Sequence, residues 1–234
     1  MSAPPIQAVV FDKDGTLFDF HATWSAWCQN FLISEAKGDS VRLAALADAL
    51  GYDLAGHRFL PHSIVIAHTT EEIAQALLPL FPDDTRRGLS DRMNGIAEDV
   101  PQTPATDLAP FLTELRGMGL ALGVATNDAE APARAHLAAA GVEPLFDFIA
   151  GYDSGFGGKP APGQLLAFAK AAGAAPAACL MVGDSRHDLV AARAAGMRPV
   201  GVLTGLARAE DLAPLAEVVL PSIATLPAWI AAQR

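Results

Sequence analysis

VVFDKDGTLFDF, residues 9–20, opens as the end of a buried strand and halts at two carboxylates, Asp12 and Asp14. The run leading into it, IQAVVF (residues 6–11), is apolar at every position but Gln7. Such a run marks a strand covered on both faces, and therefore a parallel sheet between helices. Open parallel sheets bind ligands beyond the carboxyl ends of their strands, so the two acids stand where a ligand would sit. Along extended backbone Asp12 and Asp14 turn to one side and Lys13 to the other.

Outward from this strand, the next of its quality is LALGVAT (residues 120–126). Beyond it strand and helix alternate. EAPARAHLAAAG reads as a helix closing at Gly141, FDFIAG as a short strand, and PGQLLAFAKAAG as a helix with proline at its start and glycine at its end. CLMVGD is a strand, HDLVAARAAG a helix closed by Gly196, RPVGVL and EVVL are further strands, and IATLPAWIAAQR is a terminal helix. The rhythm predicts an α/β fold with a doubly wound, Rossmann-like parallel sheet.

Residues 20–100 break the rhythm. HATWSAWCQNFLISEA, VRLAALADALG, TTEEIAQALLPLF and TRRGLSDRMNGIAED are helical patterns with little strand signal, and Thr69 with Glu72 fits a capping box. The expected division is an α/β core domain, residues 1–19 and 101–234, with an α-helical cap domain, residues 20–100, inserted after the first strand. PQTPATD (residues 101–107) reads as the return linker.

The 234 residues are 51% hydrophobic, enough for one core domain and a smaller insert. The formal net charge of −10, without any basic run, excludes a broad basic face for nucleic acid. An anion must then be held by a local device, a metal or a helix N-terminus. Two distant cysteines, Cys28 and Cys179, give neither a disulfide framework nor zinc-ligand spacing and read as buried thiols. MSAPPIQ at the N-terminus lacks the basic cluster and apolar run of a signal peptide, and no window reaches the roughly 18 apolar residues of a membrane span. A soluble cytoplasmic protein with no membrane partner is the expectation.

Four polar clusters fall at strand ends or just after them: Asp12 with Asp14, Thr126 with Asn127, Lys159 in GGKPAPG, and Asp184 with Asp188 in GDSRHD. Converging on one rim, they would gather up to four carboxylates, which repel unless a cation or proton intervenes. Oxygen ligands of this kind suit Mg²⁺, which binds one or two carboxylates together with phosphate oxygens. Lys159 adds a second positive charge. Gly157 and Gly158 let the backbone approach closely, and Pro160 stiffens the loop. Thr126 offers a hydroxyl and an N–H to a phosphoryl oxygen.

Taken singly, these motifs have plainer readings. DKDG lacks the third acid, the sixth-position glycine and the later glutamate of a calcium loop. GGK is no P-loop, since Asp153 stands where glycine is required and Pro160 where Ser or Thr is. GDSRH is no nucleophile elbow, because His187 takes the second glycine's place, and Ser185 reads as a helix N-cap. Alone, Thr126 is a strand-end hydroxyl and Lys159 a solvated lysine.

Together, DKDGT, Thr126 in ATN, Lys159 in GGKP, and GDSRHD resemble the four motifs of the haloacid dehalogenase-type hydrolases, in that family's order and along nearly the whole chain. The resemblance is greatest to the phosphoglycolate phosphatase-like branch, which carries a helical cap between its first and second motifs. It implies a Mg²⁺-dependent phosphatase acting on a small phosphorylated metabolite. Asp12 would attack phosphorus and form an aspartyl-phosphate. Asp14 would protonate the leaving oxygen and then activate water. Asp12, the Asp14 carbonyl and Asp184 would hold Mg²⁺, with Asp188 supporting the metal's waters or Lys159. Thr126, Asn127 and Lys159 would bind the phosphoryl group, Lys159 also restraining Asp12. An acid at position 14 separates the family's phosphatases from its halide-removing members.

Lys13 departs from the family, where an apolar residue is usual. Its ammonium has three readings: paired with a neighbouring acid, lying near the cap, or solvated. In the cap, His62, His68, Arg58, Arg86, Arg87 and Arg92 are candidate substrate contacts, with ordinary surface charge as the plainer reading. Trp24, Trp27 and Phe31 recur at helical spacing and read as packing. Asp19 either ties the cap hinge or begins a helix. The rival functions are a sugar phosphomutase, a dehalogenase and a catalytically idle binding protein; monomer and homodimer are equally compatible.

Overall fold

Strand β1 (Ala8–Phe11) is the hub of the computed structural model, which describes residues 4–60, 62–66 and 68–233. After it come α1 (Phe20–Ala36), α2 (Ser40–Leu50), a hairpin of β2 (Tyr52–Asp53) and β3 (Arg58–Phe59), α3 (Thr70–Leu77) and α4 (Arg86–Glu98). The chain returns through α5 (Leu108–Gly117), β4 (Ala121–Ala125), α6 (Glu130–Ala139), β5 (Phe148–Ala150), α7 (Gly163–Ala171) and β6 (Cys179–Gly183). It closes with α8 (Arg186–Ala195), β7 (Arg198–Val202), α9 (Ala209–Leu212), β8 (Val218–Leu220) and α10 (Leu226–Ala231). Met1–Ala3 of the MSAPPIQ segment and Arg234 of the expected terminal helix lie outside the described residues.

The large sheet runs β5-β4-β1-β6-β7-β8, and every pairing in it is parallel. Alternate residues of β1 go to opposite faces, as the pleat requires. Val9 and Phe11 join a cluster with Leu112 and Leu115 of α5 and Leu226 and Ile230 of α10. Ala8 and Val10 join Leu165 and Phe168 of α7 and Ala191 and Ala192 of α8. Both faces are buried, which is why the strand reads as an unbroken apolar run. Each such fully buried Val, Leu or Phe contributes about 1.5–3 kcal/mol. Strand order reverses at β1, where β4 and β5 lie to one side and β6 to β8 to the other. That reversal opens the crevice in which such sheets bind ligands.

The four helices expected between residues 20 and 100 are present. Asp19, Asp39, Thr69 and Thr85 cap them, and the Thr69–Glu72 capping box forms. Asp19 serves in both of its expected ways: Ala22 N–H donates to its carboxylate at 2.7 Å, and its own N–H donates to Thr103 C=O at 2.8 Å. These helices enclose an apolar cluster of their own, including Trp27, Phe31, Leu50, Leu77 and Met93.

Two features differ from the sequence expectation. The β2–β3 hairpin adds a strand pair where little strand signal exists, because two residues per strand are too few to show a period. Helix α5 is not in the sequence reading, although Leu108, Phe111, Leu112 and Leu115 carry the spacing of a buried helical face. Both cysteines are buried and unpaired. Among the described residues, no helix is long and apolar enough to cross a membrane.

Candidate active site

Strands β1, β4 and β6 are neighbours in the sheet, so the residues following their ends meet at one edge of it. Phe11 pairs with both Val124 and Val182, which brings Asp12 beside Thr126 and Asp184. Asp12 N–H donates to Val182 C=O at 2.8 Å and fixes the first acid against β6. Asp12, Asp14, Thr126, Asn127, Lys159, Asp184 and Asp188 all line one cavity of about 490 Å³. All seven residues singled out in the sequence are thus brought together.

Lys159 is the electrostatic pivot. Its Nζ donates to Asp12 Oδ1 at 2.5 Å and lies 2.6 Å from Asp188 Oδ1, and its side chain is 3% exposed. Burial works against its charge, but the two carboxylates outweigh burial and hold its pKa above the usual lysine value. Asp12 is pushed up to about 7, first by burial and then by Asp188 and Asp14, with Lys159 opposing. Asp184 is raised well above the ordinary range by burial, Asp12 and Asp188.

Three buried carboxylates, Asp12, Asp184 and Asp188, offer oxygens within 4.8 Å of one another. One ammonium cannot neutralise three acids. An all-oxygen donor set with surplus negative charge fits a hard divalent cation. The backbone is shaped around the same group: a Cβ on Gly15 would come within 2.5 Å of Asp184 Oδ2, and one on Gly205 would overlap that carboxylate. Gly15 also has φ +82°, a conformation that L side chains rarely adopt. Thr204 Oγ1 donates to Gly15 C=O at 2.6 Å and ties the loop after β7 to the turn after β1.

The supporting residues take up definite tasks. Asp188 Oδ2 accepts from Ser185 N–H at 3.0 Å and Ser185 Oγ at 2.7 Å, so Ser185 is the N-cap of α8 and Asp188 is held from behind. Asn127 grips the Lys159 backbone: Lys159 N–H donates to Asn127 Oδ1 at 2.7 Å, and Asn127 Nδ2 donates to Lys159 C=O at 2.9 Å. Thr126, buried, accepts from Asp128 N–H at Oγ1 (3.0 Å), and its own C=O is held by Gln164.

Lys13 resolves among its three readings as a buried ion-pair partner. Its Nζ donates to Asp14 Oδ1 at 2.7 Å, faces Asp128 Oδ2 at 3.3 Å, and lies 5.8 Å from the Trp24 ring centroid. The ammonium therefore returns to Asp14 instead of pointing away from it. His136 completes this cluster. Its Nε2–H donates to Ala97 C=O at 2.7 Å, which leaves Nδ1 to accept from Lys13 Nζ at 3.1 Å. Burial and the Lys13 charge lower the His136 pKa to about 4, so the ring is neutral. Burial raises Asp128 to about 6 against the pull of Lys13.

Asp128, His136, Thr204 and Gly205 are absent from the sequence-derived set. Asp128 directly follows Thr126 and Asn127, and that adjacency is the one signal that pointed to it. Of the cap candidates, His68 lines the cavity. Arg92 is turned to Glu35 and Asp84, Arg58 to Asp53 and Arg87 to Asp91, while Arg86 and His62 are not among the lining residues. Trp24 and Trp27 both pack as expected, Trp27 stacked on Phe31 in the interior and Trp24 against Trp27 and Phe20, and Trp24 also forms part of the cavity wall. Helical spacing alone does not distinguish the two.

Known proteins resemble this chain in sequence and in fold. A phosphoglycolate phosphatase from Neisseria meningitidis is 30% identical over 241 residues, covering 96% of this chain and 89% of its own. The solved β-phosphoglucomutase of Clostridium difficile superposes with a TM-score of 0.66 at 20% identity, over 97% of this chain and 96% of that one. CbbY from Rhodobacter sphaeroides, solved in complex with phosphate, gives 0.68 at 22% identity over 94% and 96%. Residues 6–196 match the haloacid dehalogenase-like hydrolases. With a sheet whose edge gathers all four of that family's motifs, this chain belongs to the haloacid dehalogenase-like hydrolase family.

Proposed function

We propose that the protein is a Mg²⁺-dependent phosphatase that hydrolyses a small phosphomonoester through an aspartyl-phosphate on Asp12. The observation that carries this reading is Lys159 held between Asp12 and Asp188, with Asp184 alongside. Asp12 and Asp184 would hold Mg²⁺, with the Asp14 carbonyl as a further ligand. When bound, the ion would supply positive charge to the transferring phosphoryl group.

Asp12 Oδ attacks phosphorus and the bond from phosphorus to the ester oxygen breaks. Asp14 gives a proton to the leaving oxygen as that bond breaks. Its carboxylate then takes a proton from the water that attacks the aspartyl-phosphate, releasing inorganic phosphate and restoring Asp12. Lys159 aligns Asp12 and faces the phosphoryl group, where Thr126 offers its hydroxyl. Lys13 holds Asp14 in place. The helices of residues 20–100 act as a cap that shields the reaction from bulk water and contacts the alcohol portion.

The test is release of inorganic phosphate from p-nitrophenyl phosphate and from phosphoglycolate, the reference compound chosen from the relative's name. Activity that appears with Mg²⁺ and vanishes with EDTA is expected. Equal rates with and without the ion would refute the metal-dependent reading.

A further inference from the structure

The cavity above the acids is walled unevenly. From residues 20–100 it receives Phe20, Trp24, Phe59, Val65, Ile66 and Ile73, and Leu206 faces them from the core. The polar side chains that this segment contributes are His68 and Thr70. Among its described residues no lysine or arginine lines the cavity. His68 Nδ1–H donates to Ile64 C=O at 3.0 Å, which ties that ring nitrogen to the backbone.

A carboxylate on the alcohol portion of the substrate would find no buried cation there. Lys159 is committed to Asp12 and Asp188, and Lys13 to Asp14 and Asp128. Two arginines outside this segment also line the cavity, and both are exposed: Arg208, its side chain 81% exposed, pairs with Glu210, and Arg186 donates to Asp211 C=O at 3.4 Å. The start of α3 is occupied by its own acid: Glu72 accepts from Thr69 N–H at 2.8 Å, and Glu71 adds a second negative charge in the first turn. Desolvating a carboxylate against aromatic and aliphatic walls is costly when no charge partner compensates. Uncharged apolar groups gain there instead. The volume also lies within the range, roughly 300–1,000 Å³, that encloses ligands larger than a two-carbon acid.

We propose that the alcohol released from the ester is uncharged and largely apolar, aliphatic or aromatic, and larger than glycolate. Trp24, Phe59 and Ile66 are the residues that select it. This inference rests on the phosphatase reading above and narrows its substrate class.

The experiment measures kcat/KM by phosphate release, with full-length protein and Mg²⁺. The panel is phosphoglycolate, ethyl, n-butyl and n-hexyl phosphate, and 2-phenylethyl phosphate. Along the alkyl series kcat/KM is expected to rise by up to about fourfold per methylene until the cavity is filled. The phenylethyl ester is expected to exceed phosphoglycolate by at least about tenfold. Ile66→Lys, which adds the missing cation, shifts the phosphoglycolate-to-hexyl ratio towards phosphoglycolate by about tenfold or more. A flat alkyl series, or phosphoglycolate above every uncharged ester, overturns the inference and leaves the phosphatase reading standing. Release of phosphate from no ester in the panel overturns that reading and the inference together.

Discussion

Lys13 Nζ and Asp14 Oδ1, from adjacent residues, lie 2.7 Å apart where Asp14 lines the cavity, and the lysine side chain is fully buried. The acid assigned to proton transfer is thereby held by a charge on its own strand end, and Asp128 and His136 hold that charge in turn. Lys13→Met strands two acids. Losing one partner of a buried pair costs about 3–5 kcal/mol of stability, measured by denaturant unfolding. Catalysis should suffer selectively. Alkyl phosphates need a proton on the leaving oxygen and p-nitrophenyl phosphate does not, so kcat for alkyl esters should fall about tenfold or more further. Asp128→Asn, a milder change, should shift the same ratio in the same direction; equal losses on both ester types would contradict the positioning role.

Lys159 offers a second test. Lys159→Gln keeps a polar side chain but removes the positive charge between Asp12 and Asp188. A loss of about 10²–10³ in kcat is expected, the scale of removing one preorganised group from a developing anion. Steady-state phosphate release measures it, and a variant within a few-fold of the parent would remove Lys159 from the phosphoryl site.

Gly205→Ala addresses the cation site without touching a charged residue. The added methyl would overlap the Asp184 carboxylate and displace it from Asp12. The Mg²⁺ concentration for half-maximal activity should rise at least about tenfold, the scale on which groups that orient metal ligands act. An unchanged magnesium titration would mean that Asp184 does not set metal affinity.

His136 gives a pH-dependent stability signature. Its pKa is lowered to about 4 in the folded state, against about 6.5 when unfolded. Between those values the unfolded chain binds a proton that the native state refuses. Its contribution to stability is therefore complete above about pH 6.5 and declines as pH falls towards 4, by roughly 3 kcal/mol in all. Asp12 and Asp128, with raised pKa values, act in the opposite direction, so the parent is compared with His136→Gln. Unfolding midpoints from pH 4 to 8 should show the parent losing more stability than the variant across that window. Parallel curves would contradict a neutral buried ring.

Most of the sheet could be read in advance because β1, β4 and β6 are covered on both faces, and burial of that kind writes itself as continuous apolar runs. The convergence of Asp12, Thr126, Lys159 and Asp184 was legible for a related reason: parallel topology sends strand ends to one edge. Lys13 was ambiguous because its partner Asp128 is fixed only by the β1–β4 pairing, and His136 only by α6 meeting the end of α4. Trp24 and Trp27 show the limit of periodicity. Three residues apart on α1, both pack on the same apolar cluster, yet Trp24 also walls the cavity and Trp27 does not.

The most direct measurement of the central claim is chemical trapping of the phosphorylated enzyme. The protein is mixed with Mg²⁺ and p-nitrophenyl phosphate, quenched in acid during turnover and reduced with borohydride, which converts an acyl phosphate at Asp12 to homoserine. Peptide mass spectrometry should find homoserine at position 12 and nowhere else, and none when phosphate ester is omitted. An unmodified Asp12 in enzyme quenched during rapid turnover, or homoserine at another acid, would contradict the account.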